Sequence, residues 1–157
     1  MSSQTIVHNT FVVERTYPVT VERAYAAFAD PALKRRWYAG RDPHNVETFE
    51  QDFRVGGIER LQYRLGNDSP FPGAEILNEG TFQDIVPHER IVIATTMSFQ
   101  AKRVSTSLVT FQFIAGEGQT DLIVTHQGVF FEGADGPQRR EAGWRALLER
   151  LHAQIAS

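Results

Sequence analysis

Apolar positions along this chain change period three times, and the changes divide it into elements. Phe11 to Pro18 is rich in Phe, Val, Thr and Tyr and reads as a strand closed by Pro18. Val21, Ala24, Tyr25 and Phe28 then fall at helical spacing, with Thr20 as N-cap, so a helix is predicted over Val21 to Ala29. Asp30-Pro31 restarts a short second helix, Asp as cap and Pro at its first position, ending before Gly40.

The middle of the chain reverts to strand signals. His44 to Glu50 is a weak strand, and Gly56-Gly57 marks a bulge or tight bend. From Glu59 to Leu65, Leu61, Tyr63 and Leu65 share one face, while Arg60, Gln62 and Arg64 take a wet one. Gly66 to Gly73 carries Asn-Asp-Ser-Pro and a second Pro and reads as a loop. Further strands are predicted at about Ala74 to Val86, Arg90 to Phe99, Thr106 to Ile114 and Thr120 to Gln127. Their connections, Pro87 to Glu89, Gln100 to Ser105 and Ala115 to Gln119, are short, which implies an antiparallel meander.

The last segment is helical again. After the start signal Asp135-Gly136-Pro137, an apolar stripe of Trp144, Leu147, Leu148, Leu151 and Ile155 runs at spacings of three and four, predicting a helix from about Pro137 to Ala156. The order is one strand, two short helices, about six strands and one long helix. A sheet with one apolar face must bury it, and the large apolar partner is the C-terminal helix. The expected architecture is α+β: a curved antiparallel sheet gripping that helix. Residues 1–10 read as a polar tail and residues 11–157 as a single domain.

Several stretches resemble a known family. Thr16 to Tyr25 followed by Phe28-Ala29-Asp30-Pro31 resembles the opening strand and helix of Hsp90-ATPase-activator homologues. Arg36-Trp37-Tyr38 is similar to their Arg-Trp-Trp, and Asp52 to Gly57 to their Val-Gly-Gly turn. Gly80 to Pro87, then Arg90-Ile91-Val92, resembles their paired strands. Leu122 to Gly128 is similar to their Leu-Thr-Leu-Thr-His-Glu-Gly strand, and Gly143-Trp144 with Leu147, Leu148 and Leu151 to their last helix. The resemblance spans about Phe11 to Ile155. It implies a START-like helix-grip fold with a cavity between sheet and long helix. It implies no single reaction, because the wider superfamily includes lipid carriers, hormone receptors, polyketide cyclases and co-chaperone domains. Ala94-Thr95-Thr96 stands where relatives often carry a bulky aromatic, which predicts a roomier cavity.

Composition narrows the chemistry. The absence of cysteine excludes disulfides, thiolate zinc sites and cysteine nucleophiles, and fits a cytoplasmic location. A net charge of −3 with both signs mixed excludes the basic face of a nucleic-acid binder; Lys34-Arg35-Arg36 reads as a solvated face. Met1 to Thr10 lacks the basic start and apolar run of a signal peptide, and no stretch is long enough for a membrane span. No Gly-x-Ser-x-Gly elbow occurs, and Gly116-Glu117-Gly118 lacks the Gly-Lys of a phosphate loop. The five histidines show no metal-ligand spacing, so no metal and no cofactor are assigned.

Seven residues are candidates for ligand contact: Trp37, Tyr63, Met97, Phe111, His126, Trp144 and Leu148. His126 is in phase with Leu122 and Val124 and should face inward. It is either a hydrogen-bonding group or general base in the cavity wall, or a satisfied histidine at the rim. Tyr63 could hold a ligand by its hydroxyl or be a core tyrosine. Phe111, Trp144 and Leu148 are core positions that overlap the cavity lining, and Met97 is an adaptable filler. Trp37 and Tyr38 are expected to close one end of the sheet. Glu59 is in phase with Leu61 and Tyr63: either its strand has not yet entered the core there, or a carboxylate looks into the cavity, and since unpaired buried carboxylates are costly the first is expected.

Three functions compete. A carrier or sensor of a hydrophobic small molecule needs only an apolar cavity of about 300–1,000 Å³. An enzyme (a cyclase, isomerase or hydrolase on a polycyclic or aromatic substrate) needs Glu59, Tyr63 or His126 to converge in one pocket. A chaperone-type interaction module needs a large exposed apolar patch. A monomer or homodimer suits each of them.

Overall fold

The computed structural model describes residues 5–39 and 46–156. Strand β1 (Val7–Tyr17) leads into helix α1 (Val21–Ala29), helix α2 (Pro31–Lys34) and a π-helical turn at Arg35–Ala39. Strands β2 (Val46–Gln51), β3 (Ile58–Arg64), β4 (Glu75–Val86), β5 (Arg90–Phe99), β6 (Lys102–Ala115) and β7 (Thr120–Phe130) follow, and helix α3 (Pro137–Ile155) ends the chain. The strands form one antiparallel sheet in the order β1-β7-β6-β5-β4-β3-β2. This is the α+β helix-grip architecture expected from the pattern.

Local chemistry sets the boundaries. Thr20 caps α1 by accepting from the Arg23 amide, and Asp30 caps α2 by accepting from the Ala32 amide with Pro31 behind it. In the Gly-Gly bend Gly56 has φ +85°, and a Cβ at Gly57 would run into the Asp52 carbonyl oxygen.

Some strand boundaries differ from the sequence reading. β1 begins at Val7, not Phe11, because β7 pairs with it along its whole length, Val7 opposite Phe130. Four residues of the expected polar tail therefore belong to the sheet. His44 and Asn45, placed at the start of the weak strand, lie outside the described residues; the strand itself is seen from Val46 to Gln51. The turn before β6 is two residues, Gln100 and Ala101, with φ of 51° and 66°, so β6 starts at Lys102 and not Thr106. Positive φ at both central residues is the geometry of a type I′ hairpin turn, formed here without the usual Asn-Gly signal.

The concave face of the sheet is covered by two helices, not one. α1 packs Phe28 against Phe111 and Phe113, ring centroids 5.0 and 5.2 Å apart, and Tyr25 against Phe113 at 5.6 Å. α3 buries Leu148, Leu151 and Ile155 fully, while Trp144 and Leu147 nearer its start are half-buried. Tyr17 donates its hydroxyl to the Leu148 carbonyl at 3.0 Å, fixing the second half of α3 to the sheet. α3 is therefore close-packed at its C-terminal end and stands off the sheet at its beginning.

Candidate functional site

Register explains where the helix stands off. One inward-facing residue from each strand lines up across the sheet as Asn9, Gly128, Ser107, Thr95, Gly80, Glu59 and Gln51. All are small or polar. The neighbouring row is bulky: Phe11, His126, Val109, Ile93 and Phe82. A row of small residues between large ones is a furrow. It has no signature along the chain, because its members are scattered one per strand over more than a hundred residues.

The furrow forms part of the floor of an inner recess of about 60 Å³, closed above by Arg140 and Trp144 of α3. That is room for a few water-sized groups. Beyond it lies an outer recess of about 610 Å³, bounded by Leu61, Tyr63, Trp144 and Leu147 and reaching the loop residues Asp68 and Ser69. The two share Tyr38, Asn78, Met97, Arg140 and Trp144 as a common wall.

Glu59 corrects the sequence reading. It is only 6 % exposed, and it lines the inner recess. It is not unpaired: Nζ of Lys34 donates to its Oε2 at 2.6 Å. Lys34, read as part of a solvated basic face, is itself 4 % exposed, and its ammonium sits 4.6 Å from the Tyr38 ring centroid. The short α2 and the π-helical turn after it bring Lys34, Trp37 and Tyr38 to the sheet together, so the charge is neutralised where it is buried. Burial pushes the Tyr38 phenol far up, with Glu59 adding to the shift, so it is a neutral hydroxyl.

His126 faces inward as its phase predicted. It is buried, stacks on Phe11 with centroids 4.7 Å apart, and lines the inner recess. Burial first, and the nearby Arg140 second, push its pKa down to about 4, so the ring is neutral near pH 7. Its Nδ1 finds no hydrogen-bond partner among the described residues. Arg140 is held by a two-pronged contact with Asp135, at 2.8 Å for each prong, and Nη2 also donates to Ser105 Oγ at 2.9 Å. The charges over the recess thus cancel in pairs: Lys34 with Glu59, Arg140 with Asp135.

The other candidates separate into wall and core. Met97, Phe111, His126 and Trp144 line the inner recess; Tyr63, Met97 and Trp144 line the outer one. Trp37 and Leu148 line neither. Trp37 lies 5.0 Å from Phe28, ring centroid to ring centroid, and donates its indole N–H to the Ala27 carbonyl at 2.9 Å, a core role in tying the π-helical turn to α1. Leu148 is on the close-packed part of α3. The sequence reading missed Lys34, Asn78, Gly80 and Arg140 as site residues. Among the described residues no group of three or more His, Asp or Glu could hold a metal ion.

A family model described as Activator of Hsp90 ATPase homolog 1-like protein matches residues 18–156. The chain belongs to this family. The match takes in α1, strands β2 to β7 and α3, so the expected resemblance holds over nearly the whole domain. Among solved structures of similar fold, the Rhizobium loti protein Mll3558 is 40 % identical, covering 96 % of this chain and 99 % of that one with a TM-score of 0.86. An uncharacterised Rhizobium leguminosarum protein is 30 % identical, covering 98 % of each chain at a TM-score of 0.90. The Chromobacterium violaceum protein CV1439 is 25 % identical, covering 95 % of this chain and 99 % of that one at 0.74. No curated protein matches the chain. Within the Hsp90-ATPase-activator-like fold, then, the candidate site is the recess under the first half of α3. No helix among the described residues is long and apolar enough to cross a membrane.

Proposed function

We propose that this chain is a carrier or sensor of a hydrophobic small molecule, held between the concave face of the sheet and the first half of α3. The observation that carries this reading is the outer recess of about 610 Å³, walled by Leu61, Tyr63, Met97, Trp144 and Leu147. Its size suits a ligand pocket, and its apolar and aromatic wall is flanked by polar groups, Arg64, Asp68 and Ser69 on the loop side and Asn78, Arg139 and Arg140 on the other. The inner recess adds further polar groups whose charges are already paired, Lys34 with Glu59 and Arg140 with Asp135, so a neutral ligand need not compensate them. Absence of cysteine supports a cytoplasmic site of action.

Native mass spectrometry of freshly purified protein, followed by a thermal-shift screen of fatty acids, sterols and aromatic polyketides, tests the reading. A retained molecule, or a melting temperature that climbs with ligand concentration, is the expected result. A ligand-free mass and no shift from any class would remove it.

One observation favours a second reading, catalysis on a polycyclic or aromatic substrate: Glu59 and His126 line the same inner recess. Glu59 is engaged by Lys34, which leaves neutral His126 as the available base. A substrate whose turnover falls about a hundredfold or more in His126→Gln, with binding retained, would favour the enzyme over the carrier.

A further inference from the structure

We propose that the Lys34–Glu59 pair in the wall of the inner recess is the subsite for one neutral hydroxyl group of the bound molecule, whose apolar body fills the outer recess; this rests on the binding reading above. The pair is short of partners. Nζ of Lys34 carries three protons and donates one to Glu59 Oε2. Among the described residues the rest find only ring faces, with the Tyr38 centroid at 4.6 Å and the Trp37 centroid at 6.0 Å. Oε1 of Glu59 accepts from no described residue, yet it is not among the polar atoms sealed from a water-sized group. A buried ion pair offsets its desolvation only when further hydrogen bonds satisfy the donors and lone pairs that remain.

There is room for such a partner. Lys34 and Glu59 both line the inner recess, and its volume of about 60 Å³ admits a few water-sized groups. The recess is not a closed cavity: Tyr38, Met97 and Trp144 line it and the outer recess alike. Met97, unbranched and half-buried, is the most adaptable part of that shared wall. An aromatic body in the outer recess can therefore carry one oxygen past Met97 to the pair.

Charge and hydrogen-bonding capacity select the group. Lys34 is neutralised by Glu59, Arg140 by Asp135 and Glu79 by Arg60. A charge brought in by the ligand would find no free counter-ion in the inner recess. A carbonyl or ether oxygen would accept from Lys34 but set its lone pairs against Glu59 Oε1. A hydroxyl suits both partners: it accepts from the ammonium and donates to the carboxylate, a charge-assisted hydrogen bond on each side.

Equilibrium dialysis with three probes tests this: 2-naphthol, 2-methoxynaphthalene (which keeps the oxygen and loses its proton) and 2-naphthoate. The wild-type chain should bind 2-naphthol at least about tenfold more tightly than either of the others, because a site built to hydrogen-bond a hydroxyl rejects analogues lacking it. The double variant Lys34→Met/Glu59→Leu replaces the pair by apolar groups together, which leaves no buried charge unpaired. It should shrink the preference over 2-methoxynaphthalene to about threefold or less. If that variant fails to fold, the wild type still decides: the nitrogen NMR signal of the Lys34 ammonium and the carboxyl carbon signal of Glu59 should both move on saturation with 2-naphthol. Equal affinity for 2-naphthol and 2-methoxynaphthalene, a preference that survives the double variant, or unmoved signals would overturn the hydroxyl subsite alone. Tighter binding of 2-naphthoate would do the same, turning the polar group toward the exposed Arg139 of the outer recess instead. Failure of all three probes to bind would count against the binding reading as well.

Discussion

The ammonium of Lys34 lies 2.6 Å from Oε2 of Glu59, with both side chains buried beneath α3. Removing one partner leaves the other as an uncompensated buried charge. Lys34→Met alone should therefore cost about 3–5 kcal/mol, and Glu59→Gln should be damaging for the same reason. The double variant Lys34→Met/Glu59→Gln should recover much of that loss. Urea unfolding of the four proteins as a double-mutant cycle gives the coupling; additive losses would mean the pair is not coupled in solution.

The two ends of α3 should respond differently to truncation. Leu148 is fully buried in close packing, so Leu148→Ala should cost about 2–5 kcal/mol. Trp144 is half-buried over the recess, with its ring centroid 5.6 Å from that of Phe111, so Trp144→Ala should cost less and chiefly weaken ligand retention. Urea midpoints in the reverse order would show that the stand-off end of the helix is misplaced.

His126 should make stability pH-dependent. Its folded pKa of about 4 lies below its ordinary value of 6.5, so between those limits the unfolded chain binds more protons. The contribution is fully present above pH 6.5 and is lost as pH falls toward 4, by up to about 1.4 kcal/mol per pH unit. The difference in unfolding free energy between wild type and His126→Phe, followed over that window, isolates it. A difference independent of pH would mean that the imidazole titrates normally.

Gly80 keeps the furrow open. A Cβ there would meet Ile93 Cδ1 at 2.7 Å and Thr95 Cγ2 at 3.0 Å. Gly80→Ala should cost about 1–3 kcal/mol as overpacking and reduce uptake of any ligand that reaches the floor. Thermal melts with and without a screened ligand separate the two effects. An unchanged melting temperature together with unchanged ligand shift would mean the floor lies elsewhere.

The turn Gln100-Ala101 holds two non-glycine residues at positive φ. Ala101→Gly should raise stability by about 1 kcal/mol, since glycine adopts that backbone without the steric penalty. Gln100 should stay, because its Oε1 accepts from the Glu75 amide at 3.0 Å. A destabilised Ala101→Gly variant would contradict the two-residue turn.

Local chemistry by itself determined the elements of this protein. The Thr20 and Asp30 caps, the alternation through β3 and the three-and-four stripe of α3 are written in consecutive residues, and the elements they predict are present. The inward phase of His126 was legible for the same reason: side chains alternate along a strand whatever lies across from it. What lies across was decided only by the tertiary structure. Glu59 looked too costly to bury because its partner, Lys34, is 25 residues away on another element. The furrow is likewise a property of register, joining Gly128, Ser107, Thr95 and Gly80 through hydrogen-bonded pairing that no single strand encodes. Trp37 and Leu148 looked like Trp144 in sequence. Whether an apolar side chain fills the core or walls a recess depends on the distance between helix and sheet above it, which only the assembled curvature of seven strands sets.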